Sequence, residues 1–277
     1  IYEINEDSRD EYEHILNETD SLSSSALEVL SERIAGTCGD VIVFNPNSKS
    51  TGSPVFLPKD ECTMLQGNAG GFCMTDGEDD YPLQETADCD FAVLDHIPSK
   101  GYRSFRLAEK KAAEEIPADS LKITEEGAET PYFKVTWNEK GQFTGIYDKA
   151  ADRELLPEGT FGNVIMSYED RPHNYDAWDI NHYYKEKSWE VDRISSLTVE
   201  EEGPLRACLR IERPYLGSVI VQYVYFYRDL YRIDIRNEID WKEKNILLRC
   251  YYPVDVHASE ATYEIQYGNV NRPALFN

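Results

Sequence analysis

The residues best equipped for chemistry lie between Phe161 and Glu190, in FGNVIMSYEDRPHNYDAWDINHYYKEKSWE, which holds two of the five histidines and a dense aromatic run. At its centre stands Tyr175-Asp176-Ala177-Trp178-Asp179-Ile180. An aromatic ring between carboxylates is one way to hold a sugar: the apolar ring face stacks on a pyranose, and the acids accept hydrogen bonds from its hydroxyls. The plainer reading is a polar connection between strands, with Trp178 buried and both aspartates solvated.

Hydrolytic chemistry is harder to place. Glycoside hydrolysis usually needs two carboxylates across the scissile bond, about 5 Å apart for retention and wider for inversion. In a chain with 52 acidic residues, a pair such as Asp176 and Asp179 carries no catalytic weight alone. Asp255 and His257 fall on one face of a predicted strand, and His173 lies near Asp176. Neither group supplies the three protein ligands a zinc site needs, so both read as ordinary polar groups. Asp76-Gly77-Glu78-Asp79-Asp80 invites a calcium loop, but it lacks the regular ligand spacing and closing glutamate of an EF-hand. A solvated hairpin tip is the reading preferred there. No G-x-S-x-G and no phosphate-binding glycine loop occurs.

The six cysteines (Cys38, Cys62, Cys73, Cys89, Cys208, Cys250) show no C-x-x-C spacing. Their scatter reads as reduced thiols of a cytoplasmic protein, with Cys208 and Cys250 as small core residues. With 28 basic against 52 acidic residues, the net charge is −24. A chain this anionic repels phosphate backbones and anionic membrane surfaces, so neither nucleic acid nor membrane is an expected partner. Its apolar runs are a few residues long, against about 20 for a bilayer crossing.

These groups must be carried by something, and the pattern changes along the chain. Residues 1–37 hold ten acids and two bases, with Tyr12, Ile15 and Leu16 on one helical face and Leu27, Leu30 and Ile34 on another after a break. Ser25 and Glu28 fit a capping box, and Gly36 a helix stop. Two such helices cannot bury their apolar faces alone, so residues 1–37 read as the end of a helical bundle in a chain cut from something larger. From Val41 the pattern is β: a small β domain over 38–117, then long tyrosine-rich alternating strands over 118–277. In the second domain Leu205, Ala207, Leu209 and Ile211 form one apolar face, and Asn138-Glu139-Lys140-Gly141 a hairpin turn with glycine at the position of positive φ. Long alternating strands without intervening helices predict a mainly β chain dominated by a large antiparallel sandwich.

Several separated stretches resemble one family in one order. They are VIVFNP at 41–46, IPSKGYRSFRL at 97–107, GQFTGIYDKAADRELLPEGTFGNVIMSYEDRPHNYDAWDINHYY at 141–184, GPLRACLRIER at 203–213, IDWKEKNILLRCYYPVDV at 239–256 and ATYEIQYGNVNRP at 261–273. Together they resemble the carboxy-terminal β region of the zinc-dependent α-mannosidases of glycoside hydrolase family 38. The resemblance implies a galactose mutarotase-like supersandwich, truncated at Asn277, where the family continues with more β structure. It implies a parent enzyme that removes terminal α-linked mannose from oligosaccharides with retention, a zinc ion orienting sugar hydroxyls while an aspartate attacks the anomeric carbon. The family's zinc ligands and nucleophile belong to an upstream catalytic domain, in His-x-Asp and His-His-Asp-Ala contexts. None of His14, His96, His173, His182 and His257 matches either pattern. The chain is therefore expected to contribute no catalytic residue and no zinc ligand, and to be inactive alone.

What the resemblance carries over is support. The β region packs on the catalytic domain and lends residues to the sugar pocket, here Asp176, Trp178, Asp179 and Arg272, whose competing role is packing between domains. One departure is Asn174-Tyr175, where members often have Asn-Trp. Two other readings remain open: a free-standing carbohydrate-binding module that stacks sugars on Trp178 and the tyrosines, and a purely structural β domain.

Overall fold

A computed structural model of the chain describes residues 2–34, 41–59, 65, 71–87, 89–110, 120–175, 178–266 and 268–275. It divides into two compact units, Ile1–Glu114 and Glu115–Asn277. The chain is mainly β, built of antiparallel sheets, with one α-helix at its amino-terminal end.

That helix runs unbroken over Tyr2–Ile34, where the sequence predicts two stretches. The serine run around Leu22 contains neither Gly nor Pro, and serine inside a helix costs only about 0.5 kcal/mol relative to alanine. The run is therefore absorbed, and Ser25 and Glu28 sit inside the helix rather than capping it. Ser31 instead bonds back to the Glu28 carbonyl at 2.8 Å. Tyr12, Ile15, Leu16, Leu22, Leu27 and Leu30 are all exposed. Gly36 lies outside the described residues.

The rest of the first unit holds two antiparallel sheets. One orders Val41–Asn45, Gly101–Glu109, Phe72–Thr75 and Asp80–Pro82; the other orders Thr51–Pro58, Cys89–Ile97 and Gln84–Glu85. Leu57, Met74, Leu83, Leu94 and Phe105 pack between them. The acidic run from Asp76 is the turn of a hairpin, yet Asp76 is not merely solvated. Its Oδ1 accepts from the amides of Asp79 (2.9 Å) and Glu78 (3.0 Å), and its Oδ2 pairs with Arg103. The Asp79 amide foremost, and then Arg103, pull its carboxyl down to about 2 against the cost of desolvation.

In the second unit, a five-stranded sheet orders Arg153–Glu154, Phe143–Asp148, Phe133–Trp137, Gly127–Glu129 and Lys122–Ile123. A four-stranded sheet orders Ser196–Glu202, Arg206–Tyr215, Ser218–Tyr227 and Ile233–Asp240. Alternate residues of both sheets, including Phe133, Val135, Trp137, Leu209, Ile211, Val224 and Phe226, form one core, as a β-sandwich requires. The alternation at 205–211 places its apolar set inside, but the intervening residues are covered too. Arg206 lies 4.7 Å above the Tyr225 ring and donates two-pronged to Glu201. Cys208 is buried as expected, whereas Cys250 is exposed at the end of the edge strand Ile246–Tyr251. Gly141 has φ +67, and a Cβ there would meet Ile211 Cδ1 at 2.8 Å, so both conformation and space require glycine.

Candidate functional site

The strand Val164–Glu169 is the middle of a three-stranded sheet, flanked by Ser188–Glu190 and Ile246–Tyr251. The chain leaves it at Asp170 and returns at Lys187. Both ends of this excursion are tied by backbone bonds: the Asp170 amide to the Asn245 carbonyl (2.8 Å) and the Glu169 amide to the Lys187 carbonyl (3.2 Å). A polar loop rich in rings is thereby mounted on a rigid sheet.

The first half of the loop is a tight turn. The amides of Trp178 (2.9 Å) and Asp179 (3.1 Å) both donate to the Tyr175 carbonyl. Tyr175 has φ +60, a left-handed conformation that costs an L-residue about 1–2 kcal/mol. Trp178 is 86% exposed and Tyr175 73%. The plainer expectation of a buried Trp178 is therefore wrong: the indole faces solvent. Asp179 and Ile180 are exposed beside it. Asp176 lies outside the described residues.

The second half, which the sequence reading does not single out, is a 3₁₀ turn over His182–Glu186 capped by Asn181, whose Oδ1 accepts from the Tyr183 amide at 3.2 Å. The local signal for it is Asn181, a capping residue type, directly ahead of His182-Tyr183-Tyr184. Tyr184 points inward, edge-on to Tyr168 at 5.2 Å and 4.6 Å beneath the Arg249 guanidinium. Tyr168 in turn shares a 2.5 Å hydroxyl contact with Tyr251, and burial, with that bond, pushes its phenol up to about 12. Tyr183 is half-exposed.

The other candidates are placed elsewhere. Arg272 lies on the strand Gly268–Pro273, paired only with Glu260–Ile265 among the described strands, with its guanidinium 5.6 Å from the Tyr263 ring centre. The structure thus unites Trp178 with Asp179 and gives Arg272 a separate sheet. Asp255 and His257 are not on a strand, because Ile246–Tyr251 ends before them. Asp255 is instead held by its amide on the Leu155 carbonyl at 2.9 Å, with Arg153 at 3.9 Å. Among the described residues no three His, Cys, Asp or Glu side chains converge as metal ligands. No described helix is long and apolar enough to cross a membrane. What the loop offers is binding chemistry: exposed ring faces with hydrogen-bonding groups beside them.

Residues 128–277, more than half of the chain, match the family model described as the glycosyl hydrolases family 38 C-terminal domain. The chain belongs to this family. It is 30% identical over 155 residues to alpha-mannosidase 2C1 of Homo sapiens, covering 52% of this chain. It is 26% identical over 152 residues to alpha-mannosidase G of Dictyostelium discoideum, covering 53%. It is 29% identical over 152 residues to an alpha-mannosidase of Saccharomyces cerevisiae, covering 50%. The chain spans 14% of the length of each of these relatives.

Proposed function

We propose that this chain is the non-catalytic β portion of an α-mannosidase that removes terminal α-linked mannose from oligosaccharides. On this reading Trp178, Asp179 and Arg272, with Asp176, form one wall of the sugar pocket, and the β region packs on an upstream catalytic part of the same polypeptide. The observation that carries the reading is a ring left 86% exposed, with Asp179 exposed beside it, in a chain of family 38 whose relatives are named alpha-mannosidases. An exposed aromatic ring of this kind offers its apolar face for stacking against a sugar.

The zinc expected of the parent enzyme finds no ligand set among the described residues, so no step of the reaction is assigned to a metal on this chain. Its role here is to bind and position. A cytoplasmic setting suits the scattered spacing of the six cysteines, none in a C-x-x-C pair.

The test is α-mannoside hydrolysis by this chain and by the protein extended upstream, each with and without a chelator. Activity confined to the extended protein and silenced by the chelator supports the proposal. Hydrolysis by this chain alone overturns it and makes Asp176 and Asp179 the first residues to replace.

A further inference from the structure

The 3₁₀ turn and its parent strand line a recess of about 230 Å³. Its aromatic side is Tyr183 and Tyr184; Glu169, Asn181, Glu186 and Lys187 supply polar groups around it. The volume falls below the roughly 300–1,000 Å³ of pockets for drug-sized ligands, and matches a smaller guest.

The charges say what kind of guest. Glu169 accepts from Lys187 Nζ at 2.7 Å and from Arg171 Nε at 3.1 Å, and Arg171 also lines the recess. An anion entering meets Glu169 and Glu186; a cation meets Arg171 and Lys187. A neutral molecule bearing several hydroxyls satisfies both signs, donating to the carboxylates and accepting from the cations. The ring of Tyr184 is fixed by Tyr168 and Arg249, so the aromatic side is already in place.

We infer that this recess is a subsite for one neutral sugar unit, formed by Tyr183, Glu186 and the Glu169–Lys187 pair on the loop that carries Trp178. The inference rests on the sugar-facing reading above and adds a second contact to it. Bound there, the sugar stacks on Tyr183 while Glu186 and Glu169 accept from its hydroxyls.

The experiment is calorimetric and amide-shift titration of the full chain with methyl α-mannoside, comparing Tyr183→Ala, Glu186→Gln and Trp178→Ala. Saturable binding that weakens about tenfold in each recess variant, the effect of losing one charge-assisted hydrogen bond or stacking face, supports the subsite, provided far-ultraviolet dichroism shows the variants folded. Binding that weakens only in Trp178→Ala overturns the subsite and leaves the sugar-facing reading standing. Absence of any saturable binding overturns the subsite as well. The sugar-facing reading is then judged separately, by whether Trp178→Ala changes KM in the extended enzyme.

Discussion

The guanidinium of Arg213 and the side-chain oxygen of Gln222 are hydrogen-bonded partners in the second unit, each residue only 1% exposed. Arg213 Nη2 also donates to the Lys140 carbonyl at 2.9 Å, so its described acceptors are neutral. Gln222 passes the chain on to Asn163 (3.0 Å) and Asn237 (2.9 Å), and Asn163 Oδ1 also accepts from Tyr252 at 2.9 Å. Asn163 Nδ2 closes the circuit on the Gly141 carbonyl at 2.9 Å. The buried charge is hydrogen-bonded to the Gln222 side-chain oxygen and to the Lys140 and Gly141 carbonyls, although burial still brings its pKa down to about 10. The network fastens the Asn138–Gly141 turn to the four-stranded sheet.

Gly141→Ala should therefore lose more stability than an ordinary positive-φ glycine. Gly159 provides the comparison: its φ is +76, and a Cβ there meets nothing within 4 Å. At Gly159 the substitution should cost only conformational strain, about 1–2 kcal/mol. At Gly141 the clash with Ile211 and with the Arg213 guanidinium adds about 1–3 kcal/mol. Urea midpoints of the two variants decide it. Equal losses would show that the space around Gly141 is not limiting.

Asp90 predicts an opposite effect of removing a charge. It is 2% exposed, and desolvation raises its carboxyl pKa, with Lys59 opposing and Glu85 adding to the shift. Its folded pKa lies above its unfolded one, so the folded state binds the proton more tightly. The stability this confers is complete below the unfolded value and is lost as pH rises through the folded value. Asp90→Asn should thus raise the melting temperature at neutral pH and give no gain near pH 3. A melting temperature lowered at pH 7 would mean that the carboxylate has a stabilising partner.

Asp76 carries the reverse sign. Its pKa is lowered to about 2, first by the Asp79 amide and then with Arg103, so its stabilisation is present above about pH 4 and disappears as pH falls through 2. Because the turn is exposed, solvent screening leaves roughly 1 kcal/mol of it. Asp76→Asn should cost that much at pH 7, and the two acid-unfolding curves should converge near pH 2. A constant gap across that range would assign the loss to the turn geometry alone.

These cases show which features the sequence made legible. Local alternation located the strand around Leu209, because a period of two survives whatever packs above it. The hairpin at Gly141 was legible for the same local reason, the requirement for positive φ. The helix break near Ser25 was misread, since a serine run resembles a cap yet costs a helix little. The partners of Asp76 were hidden because Arg103 lies far along the chain and only the sheet brings it over. Cys250 reads as core because its strand is apolar; the strand is a sheet edge and the residue is exposed, while its thiol reaches the buried Asn163 Oδ1 at 3.4 Å. At the site, the rings of Tyr175 and Trp178 were legible as residue types. Their exposure, and the inward turn of Tyr184, depend on tertiary packing that no short pattern encodes.

Trp178 and Tyr184 should consequently separate binding from stability. Trp178 is 86% exposed, so Trp178→Ala should shift the unfolding midpoint by no more than about 0.5 kcal/mol. In the enzyme extended upstream, loss of its ring should lower kcat/KM about tenfold, equivalent to roughly 1.4 kcal/mol, and Trp178→Phe should restore most of it through the retained aromatic face. Tyr184 is buried against Tyr168 and beneath Arg249. Tyr184→Ala should cost about 3 kcal/mol of stability through the cavity it opens. Thermal melts and mannoside kinetics on the same preparations read both quantities. If Trp178→Ala lowers stability and leaves kcat/KM untouched, the ring belongs to an interface between domains and not to a sugar site.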